Sequence, residues 1–122
     1  MAHLLIIDDD PQVLKLIASY LTRDGHDVTT ATNGKEGIKL LTAGQFDIII
    51  TDIVMPEKDG LEVLMWLRGQ QSRPKVIAIS GGSTGTPQDL LLTLASFSAD
   101  KVLPKPVDRK TLRNVVEELL QG

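Results

Sequence analysis

There is no cysteine among these 122 residues, which removes disulfides and thiolate metal sites together. No apolar stretch approaches the roughly 18 residues that a membrane-spanning helix needs. The first apolar run, Leu4 to Ile7, is four residues long and ends in acids, so no secretory signal is expected. Basic charge is not in excess: the net charge is -3, which provides no electrostatic attraction for nucleic acid. No linker, tail or low-complexity segment interrupts the chain. These absences leave a soluble, cytoplasmic, single domain, residues 1–122, long enough to close one core.

What the chain does have is aliphatic runs that stop at polar residues. Leu4-Leu5-Ile6-Ile7 runs into Asp8-Asp9, and Ile48-Ile49-Ile50-Thr51 runs into Asp52. Val76-Ile77-Ala78-Ile79 ends at Ser80, and Val102-Leu103-Pro104 precedes Lys105. Runs of this length, bounded by turn residues, read as buried strands over 3–8, 27–31, 47–52, 75–80 and 101–104. The run at 47–52 is the most apolar and belongs in the centre; 27–31 is less apolar and belongs nearer an edge.

Between the strands the period changes to that of helices. Asp10-Pro11 forms an N-cap followed by proline at the first helical position, with Leu14, Ile17 and Leu21 as the buried stripe. Asn33-Gly34 begins a second helix with Ile38 and Leu41 inward. A third is expected over 60–69, with Leu64 and Leu67 toward the sheet. Thr86-Pro87-Gln88-Asp89 opens a fourth in capping-box style, and Asp108 caps a fifth carrying Leu112, Val115, Val116 and Leu119. Strands alternating with helices give (βα)5, a parallel sheet with helices on both faces. In the doubly wound order 2-1-3-4-5 the ligand-binding crevice lies beyond the carboxyl ends of strands one and three, where Asp8, Asp9 and Asp52 fall.

Carboxylates about 5 Å apart repel by roughly 3 kcal/mol at an effective dielectric near 20, so such a cluster calls for a cation. Oxygen ligands alone suit Mg2+ or Mn2+, which leave positions open for phosphate oxygens. Lys105 then fits as a point charge for phosphate and Ser80 as a hydroxyl donor, with Gly81 leaving room for a phosphoryl group. One aspartate becomes the nucleophile, because aspartyl phosphate is an established covalent form in phosphoryl transfer.

Four pieces in order, Asp8-Asp9-Asp10, Thr51-Asp52-Ile53-Val54-Met55-Pro56 with Asp59-Gly60, Ile79-Ser80-Gly81 and Lys105-Pro106, resemble the receiver domain of bacterial two-component response regulators over essentially the whole chain. The resemblance implies a flavodoxin-like fold, with Asp52 as acceptor of a phosphoryl group from the phosphohistidine of a sensor histidine kinase or a histidine phosphotransfer protein. It also implies metal ligation by Asp8, Asp9, Asp52 and the Val54 carbonyl, a phosphate contact from Lys105, a switch hydroxyl at Ser80 and a cis Lys105-Pro106 bond. Such a domain is a switch rather than a turnover enzyme. Its output partner or dimer contact would use the fourth helix, strand five and the fifth helix, where Leu90, Leu91, Leu92, Leu94 and Phe97 nearly encircle the fourth helix.

One departure concerns that output face. Receivers commonly carry Tyr or Phe where this chain has Val102, and an aromatic often follows the Lys-Pro pair where it has Val107. Val102 supports an alternative reading, a phosphorylation-independent adaptor that keeps the fold only for binding. Asp10 is read as a helix cap, His3 and His26 as surface residues, and Gly82 to Thr86 as a loop without the Gly-Lys-Ser/Thr ending of a phosphate loop.

Overall fold

The computed structural model describes residues 2–52, 63, 65–67, 69–70, 74–80, 99–104 and 106–121, with the Ser80 and Gly34–Gly37 backbones among them and the Ser80 side chain outside that set. Five strands occur, β1 (His3–Ile7), β2 (Asp27–Ala31), β3 (Ile48–Asp52), β4 (Lys75–Ser80) and β5 (Lys101–Pro104). The described helices are α1 (Pro11–Arg23), α2 (Gly34–Ala43) and α3 (Arg109–Gln121), the last being the fifth helix of the sequence reading. Residues 63 and 65–67 are also helical, within the segment expected as the third helix. The expectations for Leu64 and for the fourth helix lie outside the described residues.

All pairings are parallel and the order is β2-β1-β3-β4-β5, as the doubly wound reading requires. β3 is buried at every position and sits in the middle; β2, with its mixed burial, is an edge. The strand side chains alternate between two cores although the runs read as continuously apolar. Leu4, Ile6, Ile48, Ile50, Ile77 and Ile79 pack under α1 and α3, against Ile17, Leu21, Leu112 and Val116. Leu5, Ile7, Ile49, Val76 and Ala78 face the other way, against Val63 and Leu67 and the half-buried Ile38 and Leu41 of α2. Each fully buried Leu or Ile contributes about 1.5–3 kcal/mol, so these two layers hold the strand ends in fixed register.

The caps follow the sequence. Asp10 is extended, its side chain accepts from the Gln12 N–H, and Pro11 takes the first helical position. Gly25, with φ of 91°, turns the chain out of α1 into β2. Asn33 accepts from the Glu36 N–H at 2.7 Å. Asp108 accepts from the Thr111 N–H at 3.0 Å and from its hydroxyl at 3.1 Å.

One detail adds to the sequence reading and another differs from it. α2 packs Ile38 and Leu41 against the sheet as expected, and its fully buried positions are Gly34 and Gly37. The bare Gly37 lies directly against Ile7 of β1. His3 and His26 are half-buried rather than surface residues, because β1 and β2 begin side by side. His26 Nδ1 accepts from the Ala2 N–H at 3.3 Å, and His3 Nε2 lies 3.2 Å from Thr29 Oγ1.

Candidate functional site

The register brings the acids together. Ile7 of β1 pairs with Thr51 of β3, so Asp8 and Asp52 emerge at the same level from neighbouring strands. Carboxylate oxygens of Asp8, Asp9 and Asp52 all lie within 4.8 Å of one another. Asp8 is 1% exposed and Asp52 2%, while Asp9 faces solvent. Two of the three charges are thus removed from bulk water, where their mutual repulsion is screened least.

Local hydrogen bonds aim the cluster. The Asp8 N–H donates to the Ala31 carbonyl at 3.1 Å, tying the end of β1 to the end of β2. The Asp8 side chain accepts from the Asp10 N–H at 2.9 Å, and Asp10 in turn accepts from Gln12. The acidic run therefore divides its work. Asp10 caps α1, as expected, and Asp8 and Asp9 are left facing Asp52. Thr51, fully buried, donates its hydroxyl to the Asp52 carbonyl at 3.1 Å and steadies the backbone that carries the third acid.

The donor set fits a small hard cation. It is all oxygen, it brings three carboxylates to one point, and it mixes buried with exposed positions, so water can complete the coordination. Imidazole plays no part: both histidines are engaged elsewhere. On the remaining expected site residues, β4 ends at Ser80 and β5 at Pro104, paired with each other, so the backbone brings Ser80 to the same rim. The Ser80 hydroxyl, the Val54 carbonyl, Lys105 and the Lys105-Pro106 bond lie outside the described residues. Val102 lies on β5 and is 36% exposed, while Val107 is buried in the α1/α3 core.

Gly37 escaped the sequence reading, although two glycines three apart inside one helix are a signal. A glycine in a helix interior, as at 37, costs about 1 kcal/mol against alanine, so a packing reason is to be expected. A cavity of about 660 Å3 is at the other end of the sheet, by Phe46, Asp47, Trp66 and Lys75. It holds none of the clustered acids.

A five-stranded parallel sheet of this order with acids at the ends of β1 and β3 defines a doubly wound domain whose site is its carboxyl rim. Residues 4–117 match the response regulator receiver domain family, and the chain belongs to that family, the receivers of two-component systems. It is similar to the transcriptional regulatory protein GlrR of Escherichia coli K12, 35% identical over 121 residues, covering 98% of this chain and 26% of that protein. It is also similar to the response regulator SaeR of Staphylococcus aureus USA300, 32% identical over 120 residues, covering 98% and 51%. The chain thus spans about a quarter to a half of the length of these relatives. Among solved structures, the receiver domain of a signal transduction histidine kinase from Syntrophus aciditrophicus superimposes with a TM-score of 0.88 at 31% identity, covering 100% of this chain and 92% of that one. Response regulator TrrA of Thermotoga maritima, in complex with Mg2+-BeF, gives 0.83 at 31% identity, covering 98% and 99%. No helix among the described residues is long and apolar enough to cross a membrane.

Proposed function

We propose that this receiver takes a phosphoryl group onto Asp52 in a Mg2+-dependent reaction, and that it acts as a switch rather than a turnover enzyme. The observation that carries the reading is the cluster itself: Asp8, Asp9 and Asp52 within 4.8 Å, two of them buried. TrrA, 31% identical, carries Mg2+-BeF, which supports Mg2+ as the cation here. Mn2+ shares the same ligand preferences.

In this reading Asp8, Asp9 and Asp52 hold the ion, with the Val54 carbonyl as a further ligand. The bound ion supplies positive charge that draws in phosphate oxygens and disperses the charge of the transition state. An Asp52 carboxylate oxygen attacks phosphorus; the new P–O bond forms as the P–N bond of a phosphohistidine breaks, and the departing imidazole takes up a proton. The hydrogen bonds at Asp8 and Thr51 keep the acids in place, so little reorganisation accompanies the step. Lys105 supplies a point charge to the phosphate, and the Ser80 hydroxyl a donor once the phosphoryl group has arrived. The partner that delivers the group is a sensor histidine kinase or a histidine phosphotransfer protein, and the setting is cytoplasmic. Residues 1–122 act as one receiver unit. Output passes to a partner or second copy through the fourth helix, β5 and α3, with no direct contact to nucleic acid.

Incubation with a small acyl-phosphate donor and Mg2+ tests the chemistry. Intact mass should show one added phosphoryl group on the wild type, none on Asp52→Ala and none after chelation. Label that persists on Asp52→Ala overturns the assignment.

A further inference from the structure

A Cβ built on Gly37 would fall inside the van der Waals envelope of Ile7 Cδ1 and only 3.0 Å from Ile7 Cγ1. Ile7 is fully buried, and the next residue along β1 is Asp8. From this contact we infer that Gly37 is a positioning residue for the metal cluster, fitted to Ile7 so that α2 can close on β1 without displacing Asp8. The inference rests on the Mg2+ reading of the acid cluster.

An added methyl must recover roughly 1 Å to reach an ordinary carbon–carbon separation. Ile7 has little freedom to swing aside, because its layer holds Leu5, Ala31, Ile49 and Ala78 at close packing. That leaves two relaxations. If Ile7 shifts, the peptide it shares with Asp8 shifts as well. If α2 shifts instead, it pulls on its own start, where the Gly37 N–H donates to the Asn33 carbonyl at 3.1 Å. Asn33 is two residues from Ala31, whose carbonyl receives the Asp8 N–H. Both relaxations end at Asp8, which the cluster needs within reach of Asp52.

The test compares wild type, Gly37→Ala, Ile7→Val and the double variant by Mg2+ calorimetry and thermal melting. Ile7→Val removes Cδ1, the atom nearest the added methyl. Gly37→Ala should raise the Mg2+ Kd by about tenfold, the low end of what outer-shell changes produce. Ile7→Val alone should leave the Kd within about twofold of wild type, and the double variant should return to that value. A loss of melting temperature with unchanged Kd in Gly37→Ala makes the glycine merely structural and overturns the inference while leaving the phosphoacceptor reading intact. So does a weakened Kd that Ile7→Val fails to restore. If Gly37→Ala does not fold, the double variant decides: folding with wild-type Kd supports the fit, and failure to fold refutes it. A wild-type chain that binds no Mg2+ overturns the phosphoacceptor reading, and this inference with it.

Discussion

At the amino ends of the strands, acids act one at a time. Asp47 accepts from the His3 N–H at 2.8 Å and Asp100 from the Val76 N–H at 2.7 Å, each clamping one strand start to its neighbour's lead-in. The backbone reinforces both clamps: the Asp47 N–H donates to the His3 carbonyl and the Asp100 N–H to the Val76 carbonyl, each at 2.8 Å. At the carboxyl ends the same residue type is used in the opposite way. Asp8, Asp9 and Asp52 converge on one another, with two of the three out of water. One edge of the sheet distributes its carboxylates among peptide donors, which stabilises the fold. The other collects them, which favours a ligand of positive charge at the expense of the empty fold. The amino edge has a cavity of its own, yet volume without convergent charge has no comparable chemistry.

The largest test of this division is linkage to Mg2+. At a hundredfold excess over Kd, an ion that binds only the folded chain adds about 2.7 kcal/mol of stability. In a domain of this size that is roughly 10 °C in melting temperature. Asp8→Asn should lose nearly all of the shift, and Asp47→Asn and Asp100→Asn should keep it. Melts followed by circular dichroism, with Mg2+ and with chelator, read the difference. Equal shifts in all four proteins would erase the distinction between the two ends.

The converse test is stability without metal. Asp100→Ala leaves the N–H of Val76, a fully buried residue, without its side-chain acceptor, and should cost about 1–3 kcal/mol in urea denaturation. Its Mg2+ Kd should not change. A weakened Kd would mean that the two edges are coupled through β4, and the comparison would then describe one network rather than two. A smaller loss, about 1 kcal/mol, is expected of Asn33→Ala, which removes the cap of α2. Because α2 starts beside the cluster, this variant also shows whether loosening the helix is enough to disturb Mg2+ binding.

Much of this is legible in the sequence. Aliphatic runs ending in acids mark parallel strands and their carboxyl ends together, and one topological rule brings Asp8 and Asp52 into contact. Asp10-Pro11 and Asn33 are local signals, and local signals survive folding. The clamps at Asp47 and Asp100 were not legible, because an acid just before a strand has no distinguishing mark until the register of its neighbour is known. The fit of Gly37 to Ile7 depends on the distance between a helix and a strand thirty residues apart, and no local pattern encodes that distance. The two histidines were misread for a related reason: burial at a sheet edge depends on which strand starts beside which.

The smallest predicted effect separates location from chemistry. Asp108 follows β5 and so belongs to the carboxyl rim by position, yet it behaves like the acids of the amino edge. The Thr111 N–H and then its hydroxyl hold the Asp108 carboxyl below the ordinary value of 3.8, with a lesser contribution from Lys110. A carboxyl lowered in the folded state stabilises the fold fully above the unfolded value and loses that contribution as pH falls through the folded one. The effect of Asp108 should therefore be complete above about pH 5 and should fade below pH 3.8. Unfolding measured from pH 6 to pH 2 should show a shallower acid limb for Asp108→Asn than for wild type, with the two curves converging at the acid end. Parallel curves over the whole range would contradict the capping role. If the curves converge, the carboxyl rim holds two kinds of acid: those that cap helices, Asp10 and Asp108, and those gathered together, Asp8, Asp9 and Asp52, which suit the ion.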